Sequence, residues 1–255
     1  MGQLNFVIEG QGPMVVLSHA LGCSLGMWDD VARYLSKRYT VLRYDHRGHG
    51  GSASLPGPYS MEIFADDAAG LIEQHSHAPV TFVGLVMGGM TGQQLAVRYP
   101  HLVRSIVMAN AASYFDDAIR TRLMARIRQA QEQGMAAVAD EAMHRWFTPA
   151  FLASPDGAAR ASALRQSLVA MDPQVYAASC EAMMEVDYGT SNPLIACPTL
   201  VIAGAHDDAI SVRTAESLCR SISGAELRTL ATGRMSAVEQ PQEFANLVHD
   251  FLRSL

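Results

Sequence analysis

The fold is decided by a short stretch in the first half of the chain, VTFVGLVMGGM at residues 80–90. Its first five residues are apolar or β-branched up to Gly84, which predicts a strand buried on both faces. Residues 88–98 then have helical spacing. Gly84 and Gly88 let the backbone pass close to itself, as a very tight turn requires. The stretch therefore predicts a strand, a sharp turn and a helix in immediate succession.

Outward from this stretch, strand patterns alternate with helical patterns. Most strand candidates are continuous apolar runs, as in a parallel sheet covered on both faces. The predicted strands are residues 5–9, 14–18, 40–44, 80–84, 105–109, 199–203 and 226–230. The predicted helices are residues 27–37, 61–75, 88–98, 212–221 and 241–255. This alternation predicts an α/β fold with a doubly wound, mostly parallel central sheet flanked by helices.

The alternation stops in the middle of the chain. Residues 113–192 contain no strand candidate, have helical spacing and are interrupted by prolines. We therefore predict an α/β core from residues 1–112 and 193–255, with residues 113–192 as a helical cap or lid. Ligands of open α/β sheets bind beyond the carboxyl ends of the strands, so a cap at that edge would close a pocket.

The composition excludes several classes of partner. The 255 residues carry a formal net charge of −6, whereas nucleic acids and anionic membranes bind basic surfaces. The apolar runs are no longer than a strand, so no membrane-spanning helix is expected. The predicted partner is a small molecule, and a homo-oligomer is left open.

Cysteine and histidine spacing predicts neither a metal site nor a cofactor. The four cysteines are widely spread and form no CxxC pair. With no signal peptide in the sequence, they indicate free thiols and a cytoplasmic protein. His46 and His49 have the spacing of a metal pair, but they fall in a glycine-rich loop, where a structural role is expected. No glycine loop that cradles phosphates opens a helix after the first strand.

The order of strand, turn and helix around Val86 is that of a nucleophile elbow, whose pattern is G-x-S-x-G. In that motif a strained turn projects the central hydroxyl into a pocket. Here the central residue is Val86, which has no hydroxyl, no thiol and no transferable proton. The alternative is that Gly84 and Gly88 merely serve a tight turn.

The chain as a whole resembles the α/β hydrolases, and among them the 3-oxoadipate enol-lactonases and related esterases. The resemblance rests on the order of several segments, each of which matches a family motif. These segments are residues 17–22 with 27–29, 45–52, 80–90, 145–149, 203–208 and 232–241. The resemblance implies the α/β-hydrolase fold with a helical cap, and hydrolysis of carboxylic esters or enol-lactones.

The resemblance also implies a catalytic triad, which this chain does not complete. The nucleophile, acid and base histidine would stand at positions 86, 207 and 234, and only Asp207 is retained. Val86 cannot attack a carbonyl, and Arg234 stays charged and cannot act as the general base. The implied oxyanion hole is made by the backbone N–H groups of Leu21 and Met87. Efficient Ser-His-Asp hydrolysis is therefore not expected.

Each replaced position allows two structures. The elbow residue normally has a positive φ, which a β-branched side chain adopts at a cost of about 1–3 kcal/mol. Val86 is therefore either strained or part of a relaxed elbow. Arg234 either pairs with Asp207, which would otherwise be left poorly compensated, or reaches into the pocket and binds an anionic group.

Four further residues are candidates for the substrate pocket. His19 opens the oxyanion loop, where it either orders the backbone or carries a proton. Cys23 is the one plausible alternative nucleophile, although a buried thiol without a basic neighbour is usually inert. Trp146 and Met235 are expected to line or cover the pocket.

Three functions are consistent with the sequence, and whether the chain is an enzyme stays open. In the first, an ester or enol-lactone hydrolase scaffold keeps its pocket but has lost its triad at Val86 and Arg234. In the second, the same pocket carries out non-hydrolytic chemistry, as a lyase, isomerase or cyclase that uses the oxyanion hole and Arg234. In the third, the protein binds a small ligand without catalysis.

Overall fold

The computed structural model describes residues 3–255 and contains one seven-stranded sheet. Each predicted strand is present, and its ends agree with the prediction to within two residues. The five inner strands are mostly buried because helices cover both faces of the sheet, whereas the two edge strands are largely exposed. The strands are β1 (Phe6–Glu9), β2 (Met14–Ser18), β3 (Thr40–Tyr44), β4 (Val80–Leu85), β5 (Val103–Ala109), β6 (Thr199–Gly204) and β7 (Glu226–Leu230).

The strand order is β1-β3-β2-β4-β5-β6-β7, and only β1 runs antiparallel to its neighbour. The order of strands changes direction at β2, which lies between β3 and β4. Ser18 at the end of β2 pairs with Gly84 near the end of β4. The loops that follow these two strands are therefore adjacent, at the kind of switch point where α/β sheets bind ligands.

Eleven α-helices are present in the described residues. The five predicted from the sequence are found within two residues of the predicted ends, the first being preceded by a 3-10 turn at Leu25–Trp28. The helices of the α/β core are α1 (Asp29–Leu35), α2 (Met61–His75), α3 (Met87–Arg98), α9 (Val212–Arg220), α10 (Ser236–Glu239) and α11 (Pro241–Arg253). No described helix is long and apolar enough to cross a membrane.

Residues 113–192 are helical, as the sequence pattern indicates. The helices of this segment are α4 (Asp117–Gln133), α5 (Met135–Trp146), α6 (Pro149–Ala153), α7 (Pro155–Val169) and α8 (Pro173–Met184). Three of them begin with a proline whose preceding Thr148, Ser154 or Asp172 caps the helix with its side chain. Proline suits the first turn because its missing N–H is not needed there.

The core forms two layers, one on each face of the sheet. Successive side chains of a strand point to opposite faces. Val15 and Leu17 accordingly join the larger apolar cluster, which extends to the helices of residues 113–192, while Val16 joins the smaller cluster on the other face. The larger cluster includes Val86, so the elbow faces the helical segment.

Candidate active site and its ligand cavity

The turn between β4 and α3 has the geometry of a nucleophile elbow. A Cβ atom built on Gly84 would lie 2.2 Å from the Gly88 carbonyl carbon, and one built on Gly88 would lie 2.1 Å from the Ser18 carbonyl oxygen. Both glycines are therefore required by close backbone approach. Val86 has φ 51° and ψ −108°, so of the two structures expected for this residue, the chain has the strained one.

Two hydrogen bonds hold Val86 in this conformation. Its N–H donates to the Ala109 carbonyl at 2.9 Å, and its carbonyl accepts from the Met90 N–H at 3.0 Å. The backbone on each side of the residue is thus fixed by a strand and by a helix. Val86 is 7% exposed and lines the cavity described below, so the elbow presents an apolar side chain where the family motif has a hydroxyl.

The two amides predicted to form an oxyanion hole carry free N–H groups. Within residues 3–255, neither the Leu21 N–H nor the Met87 N–H donates a hydrogen bond to another protein group. Met87 is the first residue of α3, whose first-turn amides have no partner inside the helix. An anionic oxygen is favoured at such a helix N-terminus, which is consistent with the role that the family resemblance implies for these two amides.

Arg234 pairs with Asp207, as one of the two expected arrangements requires. Arg234 Nη2 donates to Asp207 Oδ1 at 2.9 Å, and Nε donates to Oδ2 at 3.3 Å. Both residues are buried. Without the histidine of the family motif at position 234, the buried Asp207 carboxylate would have no partner. The Arg234 guanidinium supplies the compensating positive charge.

The Asp207 carboxylate accepts three further hydrogen bonds. The Ala209 and Ile210 N–H groups each donate to Oδ1 at 3.1 Å, and Asn110 Nδ2 donates to Oδ2 at 3.2 Å. Five donors therefore share a group that has about four lone-pair sites. Asp207 has no free lone pair with which to accept a substrate proton, so the geometry does not offer it as a replacement base.

Asn110 is a positioning residue for this loop. It has a positive φ of 47° at the end of β5, which Asn tolerates better than most residues. Its amide donates to Asp207 and to the Gly233 carbonyl, while its Oδ1 accepts from Ser236 Oγ at 2.7 Å. Ser236 is thus occupied in this network and does not stand at the elbow.

A cavity of about 60 Å³ lies in front of Val86. A buried water needs about 10–15 Å³ of such volume, so the cavity has room for about four to six water-sized groups. Trp146 and Met235, the two residues expected to line or cover a substrate pocket, both line this cavity, together with Leu21 and Arg234. Arg234 Nη1 donates no hydrogen bond to a protein group within residues 3–255, so this cavity-lining residue keeps an unused donor.

His19 and Cys23 do not line this cavity, so their assignment to the substrate pocket is corrected. His19 is fully buried, and protein groups satisfy both ring nitrogens: Nε2 accepts from the His46 backbone N–H at 2.9 Å, and Nδ1 donates to the Ala20 carbonyl at 2.8 Å. Cys23 is 1% exposed, and burial raises the pKa of its thiol. A buried thiol of raised pKa forms little thiolate, so Cys23 is a poor alternative nucleophile.

His19 belongs to a buried group with His46 and His49, directly behind the elbow. The ring centroids of His19 and His46 are 4.7 Å apart, and those of His19 and His49 are 5.1 Å apart. His46 Nε2 lies 2.8 Å from Ser18 Oγ, below Gly88. Burial lowers the pKa of His19 to about 4 and that of His49 to about 3, and it also lowers the pKa of His46. The three rings are neutral packing groups, which agrees with a structural role for the loop.

No group of three or more His, Cys, Asp or Glu side chains suited to holding a metal occurs among the described residues. His46 and His49 are therefore not joined by a third potential metal ligand in the described part of the chain. All four cysteines are free thiols.

Two residues that line this cavity were not predicted from the sequence. Arg126 of α4 and Arg145 of α5 both line the cavity with Arg234. Arg145 falls within the family-like segment 145–149, which could have drawn attention to it. Arg126 is one of several arginines on its helix, and no spacing separates it from an exposed neighbour such as Arg122.

The fold, the elbow and the acid loop together define an α/β hydrolase. A family model described as the alpha/beta hydrolase fold matches residues 13–241, and the chain belongs to this family. The chain is 35% identical to 3-oxoadipate enol-lactonase 2 of Acinetobacter baylyi, across 98% of this chain and 93% of that protein.

Solved structures give the same result. An enol-lactonase from Burkholderia xenovorans LB400 superposes with a TM-score of 0.93 at 35% identity, covering 98% of this chain and 96% of that one. A hydrolase from Pseudomonas aeruginosa PA01 superposes with a TM-score of 0.91 at 33% identity, covering 98% and 94% of the two chains. The chain is therefore an α/β hydrolase similar to enol-lactonases and esterases.

Proposed function

We propose that this enol-lactonase-like chain retains a pocket for a small ester, lactone or related carboxylate but does not hydrolyse it through a Ser-His-Asp triad. The observation that carries the proposal is the pair of replacements at one intact site. The elbow keeps its strained backbone while Val86 supplies no nucleophile, and Arg234 occupies Asp207 through two hydrogen bonds. Helices of residues 113–192 act as the cap of this pocket.

Both proton-handling steps of ester hydrolysis are missing at this site. A hydrolase needs a hydroxyl that attacks the carbonyl and an imidazole that takes its proton and returns it to the leaving group. A valine performs neither step, and a guanidinium paired with a carboxylate does not release a proton in the accessible pH range. The free amides of Leu21 and Met87 support a residual background, since sites without a triad still accelerate hydrolysis by about 10³–10⁴ over water.

The proposal is tested by restoring the missing groups. The chain is assayed beside a Val86→Ser/Arg234→His variant on a small activated neutral ester and on an enol-lactone. We expect kcat/KM to rise by at least about a thousandfold in the double variant, because nucleophile and base act as a unit. Each single variant should stay near the background for the same reason.

A third variant serves as the matched control. Adding Asp207→Asn to the double variant should remove most of the gain, about 10³–10⁴-fold, because the imidazole then loses the partner that fixes its tautomer. A chain that already matches the double variant would contradict the proposal. The search for the reacting groups would then move to His19, Cys23, Asp207 and Arg234.

Two other functions use the same cavity and separate from the first by experiment. Non-hydrolytic chemistry is favoured by the unused Nη1 donor of Arg234, because this residue lines the cavity and its charge would stabilise an enolate or carboxylate. Turnover that survives replacement of Asp207 but not of Arg234, measured per folded molecule, would support it. Saturable ligand binding with no turnover would support a binding protein.

A further inference from the structure

A second groove lies at the opposite end of the sheet from the elbow. It has a volume of about 200 Å³ and runs between the end of α1 and one side of α11. Lys37 and Arg38 line it just before β3 begins at Thr40, so it lies near the amino ends of the parallel strands. We call it the basal groove. None of the described residues that line it also lines the cavity in front of Val86.

The positive charge of the basal groove has no counter-charge from the protein. Within residues 3–255, neither Lys37 nor Arg38 takes part in an ion pair, and no Asp or Glu lines the groove. Burial raises the pKa of Tyr39, which also lines the groove. The positive charges of Arg38, Arg253 and Arg104 lower that pKa. The chain as a whole carries a net charge of −6, so this end of the molecule is a local exception.

The backbone that carries these two cations is fixed from two sides. The Leu35 carbonyl at the end of α1 accepts from the N–H groups of Arg38 and Tyr39, with N···O distances of 3.0 Å. The loop between β1 and β2 packs on the other side, because a Cβ atom built on Gly12 would lie 2.4 Å from the Arg38 carbonyl oxygen. The Leu35 carbonyl is satisfied by backbone donors, so it needs no cap from a cationic side chain.

The ammonium group of Lys37 is positioned without being neutralised. Its Nζ lies 5.3 Å from the centroid of the Tyr34 ring. Such a cation–π contact orients the charge, whereas a carboxylate would cancel it. An anion that enters the groove therefore meets a positioned ammonium that keeps its full charge.

Two amide side chains add neutral donors to the groove. Gln242 and Asn246 of α11 line it four residues apart, which places them on the same side of the helix. Neither side chain forms a hydrogen bond to another protein group within residues 3–255. The groove therefore offers two cations and two amides to one ligand group.

A phosphomonoester matches this set of donors. It carries about 1.5 to 2 negative charges at neutral pH and three strong acceptor oxygens. Lysine binds phosphate as a point charge, and arginine binds it with a pair of parallel N–H groups. We propose that the basal groove binds the phosphate group of a phosphomonoester at Lys37 and Arg38, with further hydrogen bonds from Gln242 and Asn246.

This inference goes beyond the proposed function and does not depend on it. It gives the chain a second ligand, of a different chemical class from an ester or a lactone, at the other end of the sheet. Because the groove and the cavity share no described lining residue, gain or loss of ester hydrolysis leaves the inference untouched.

The test is a calorimetric titration of the unaltered chain with glycerol phosphate at low salt. Glycerol, which lacks the phosphate, and dimethyl phosphate, which carries a single charge, are titrated in parallel. We expect glycerol phosphate to bind at least about tenfold more tightly than either, since a hydrogen bond to a charged group contributes about 10- to 150-fold in affinity.

Vesicles distinguish two sources of the phosphate group. Phosphatidic acid presents a phosphomonoester at a membrane surface, so phosphatidylcholine vesicles with and without it are sedimented with the chain. Binding of glycerol phosphate without sedimentation identifies a soluble ligand. Sedimentation that requires phosphatidic acid and is lost in Lys37→Gln identifies a lipid head group.

Variants locate the phosphate. Lys37→Gln and Arg38→Gln should each weaken the binding of glycerol phosphate by about tenfold or more, and Arg38→Lys should retain part of it because it keeps the charge. Arg33→Gln is the matched control, because this exposed arginine lies on α1 but does not line the groove. The melting temperature of each variant separates lost binding from lost folding.

Lys37 allows a second measurement, because it is the only lysine of the chain. Its acetylation by an N-hydroxysuccinimide ester is followed by mass spectrometry of the peptide that contains it. Glycerol phosphate at about ten times its Kd should slow this reaction by about tenfold, since only the empty groove leaves the ammonium accessible.

Four results would overturn the inference. They are no binding of either glycerol phosphate or the phosphatidic acid vesicles, equal affinity for dimethyl phosphate, binding that is unchanged in both glutamine variants, and acetylation of Lys37 that bound glycerol phosphate does not slow.

Discussion

The two replaced positions of the site respond to their substitutions in opposite ways. At the elbow, the neighbouring strand and helix fix the backbone whatever the side chain is. Val86 keeps φ 51° although valine disfavours this conformation. At the acid loop, the side chain forms its own partnership: Arg234 places two donors on Asp207. The backbone of Val86 is fixed by its neighbours in the sheet and the helix, whereas the side chain of Arg234 is fixed by its ion pair with Asp207.

This difference predicts where each substitution acts on the molecule. Val86 makes no polar contact through its side chain, so replacing it changes strain and packing but no hydrogen bond. Arg234 and Asp207 are buried and depend on each other, so replacing either one leaves the other without compensation. Three measurements test this contrast, beginning with the largest effect.

Removal of Asp207 should be the most damaging single change at the site. Asp207→Ala leaves Arg234 buried without a counter-charge and frees the Ala209 and Ile210 amides, so we expect a loss of about 3–5 kcal/mol in the free energy of unfolding. Urea denaturation measures it. The adjacent exposed Asp208→Ala is the matched control and should change stability by less than about 0.5 kcal/mol.

A companion variant checks that charge causes the loss. Asp207→Leu/Arg234→Met removes both charges and leaves an apolar pair, so it should recover much of the stability lost in Asp207→Ala. If the double variant is as unstable as Asp207→Ala, the hydrogen bonds to the loop amides would be the main contribution, and the contrast between the two positions would weaken.

Acid should affect the region behind the elbow before it affects the acid loop. The pKa values of His19, His46 and His49 are lowered in the folded state by burial. A lowered pKa means that protonation favours the unfolded chain. The stability that these neutral rings contribute is therefore complete above about pH 6.5 and is lost as the pH falls toward 4 and 3. Arg234 keeps its charge throughout this range.

The measurement compares unfolding free energies at pH 7.5 and 5.5. Each buried histidine should contribute about 1.3 kcal/mol to the loss between these values, so His49→Gln should reduce the loss by that amount whatever its effect on overall stability. The exposed His144→Gln should leave it unchanged. An equal loss in all three proteins would show that these rings do not control the acid sensitivity.

The same contrast explains what could be read from the sequence. The fold was predictable because buried parallel strands appear as continuous apolar runs, as at residues 80–84 and 199–203. The elbow was predictable because close backbone approach demands Gly84 and Gly88. The Asp207–Arg234 pair was one of two arrangements that the charges allowed, and the coordinates were needed to choose it.

What the sequence could not supply is the direction in which a side chain points. His19 and Cys23 lie in the expected loop, yet neither lines the cavity. The ring of His19 is held instead by the His46 N–H and the Ala20 carbonyl, which engage its two nitrogens. Arg126, in contrast, lines the cavity but was not predicted to do so. The packing of α4 against α8 determines which side of α4 meets the cavity, and no local sequence pattern indicates that side.

The smallest expected effect is the most direct test of strain at the elbow. Val86→Gly removes a buried isopropyl group, worth about 1.5–3 kcal/mol, but releases about 1–3 kcal/mol of backbone strain because glycine accepts φ 51°. We therefore expect unfolding free energies within about 1 kcal/mol of the original chain. Val83→Gly removes the same side chain from an unstrained buried strand, β4, and should cost at least about 3 kcal/mol. If urea denaturation shows equal losses of unfolding free energy in the two variants, Val86 stores no strain. The backbone conformation of the elbow would then not be imposed on an unfavourable residue.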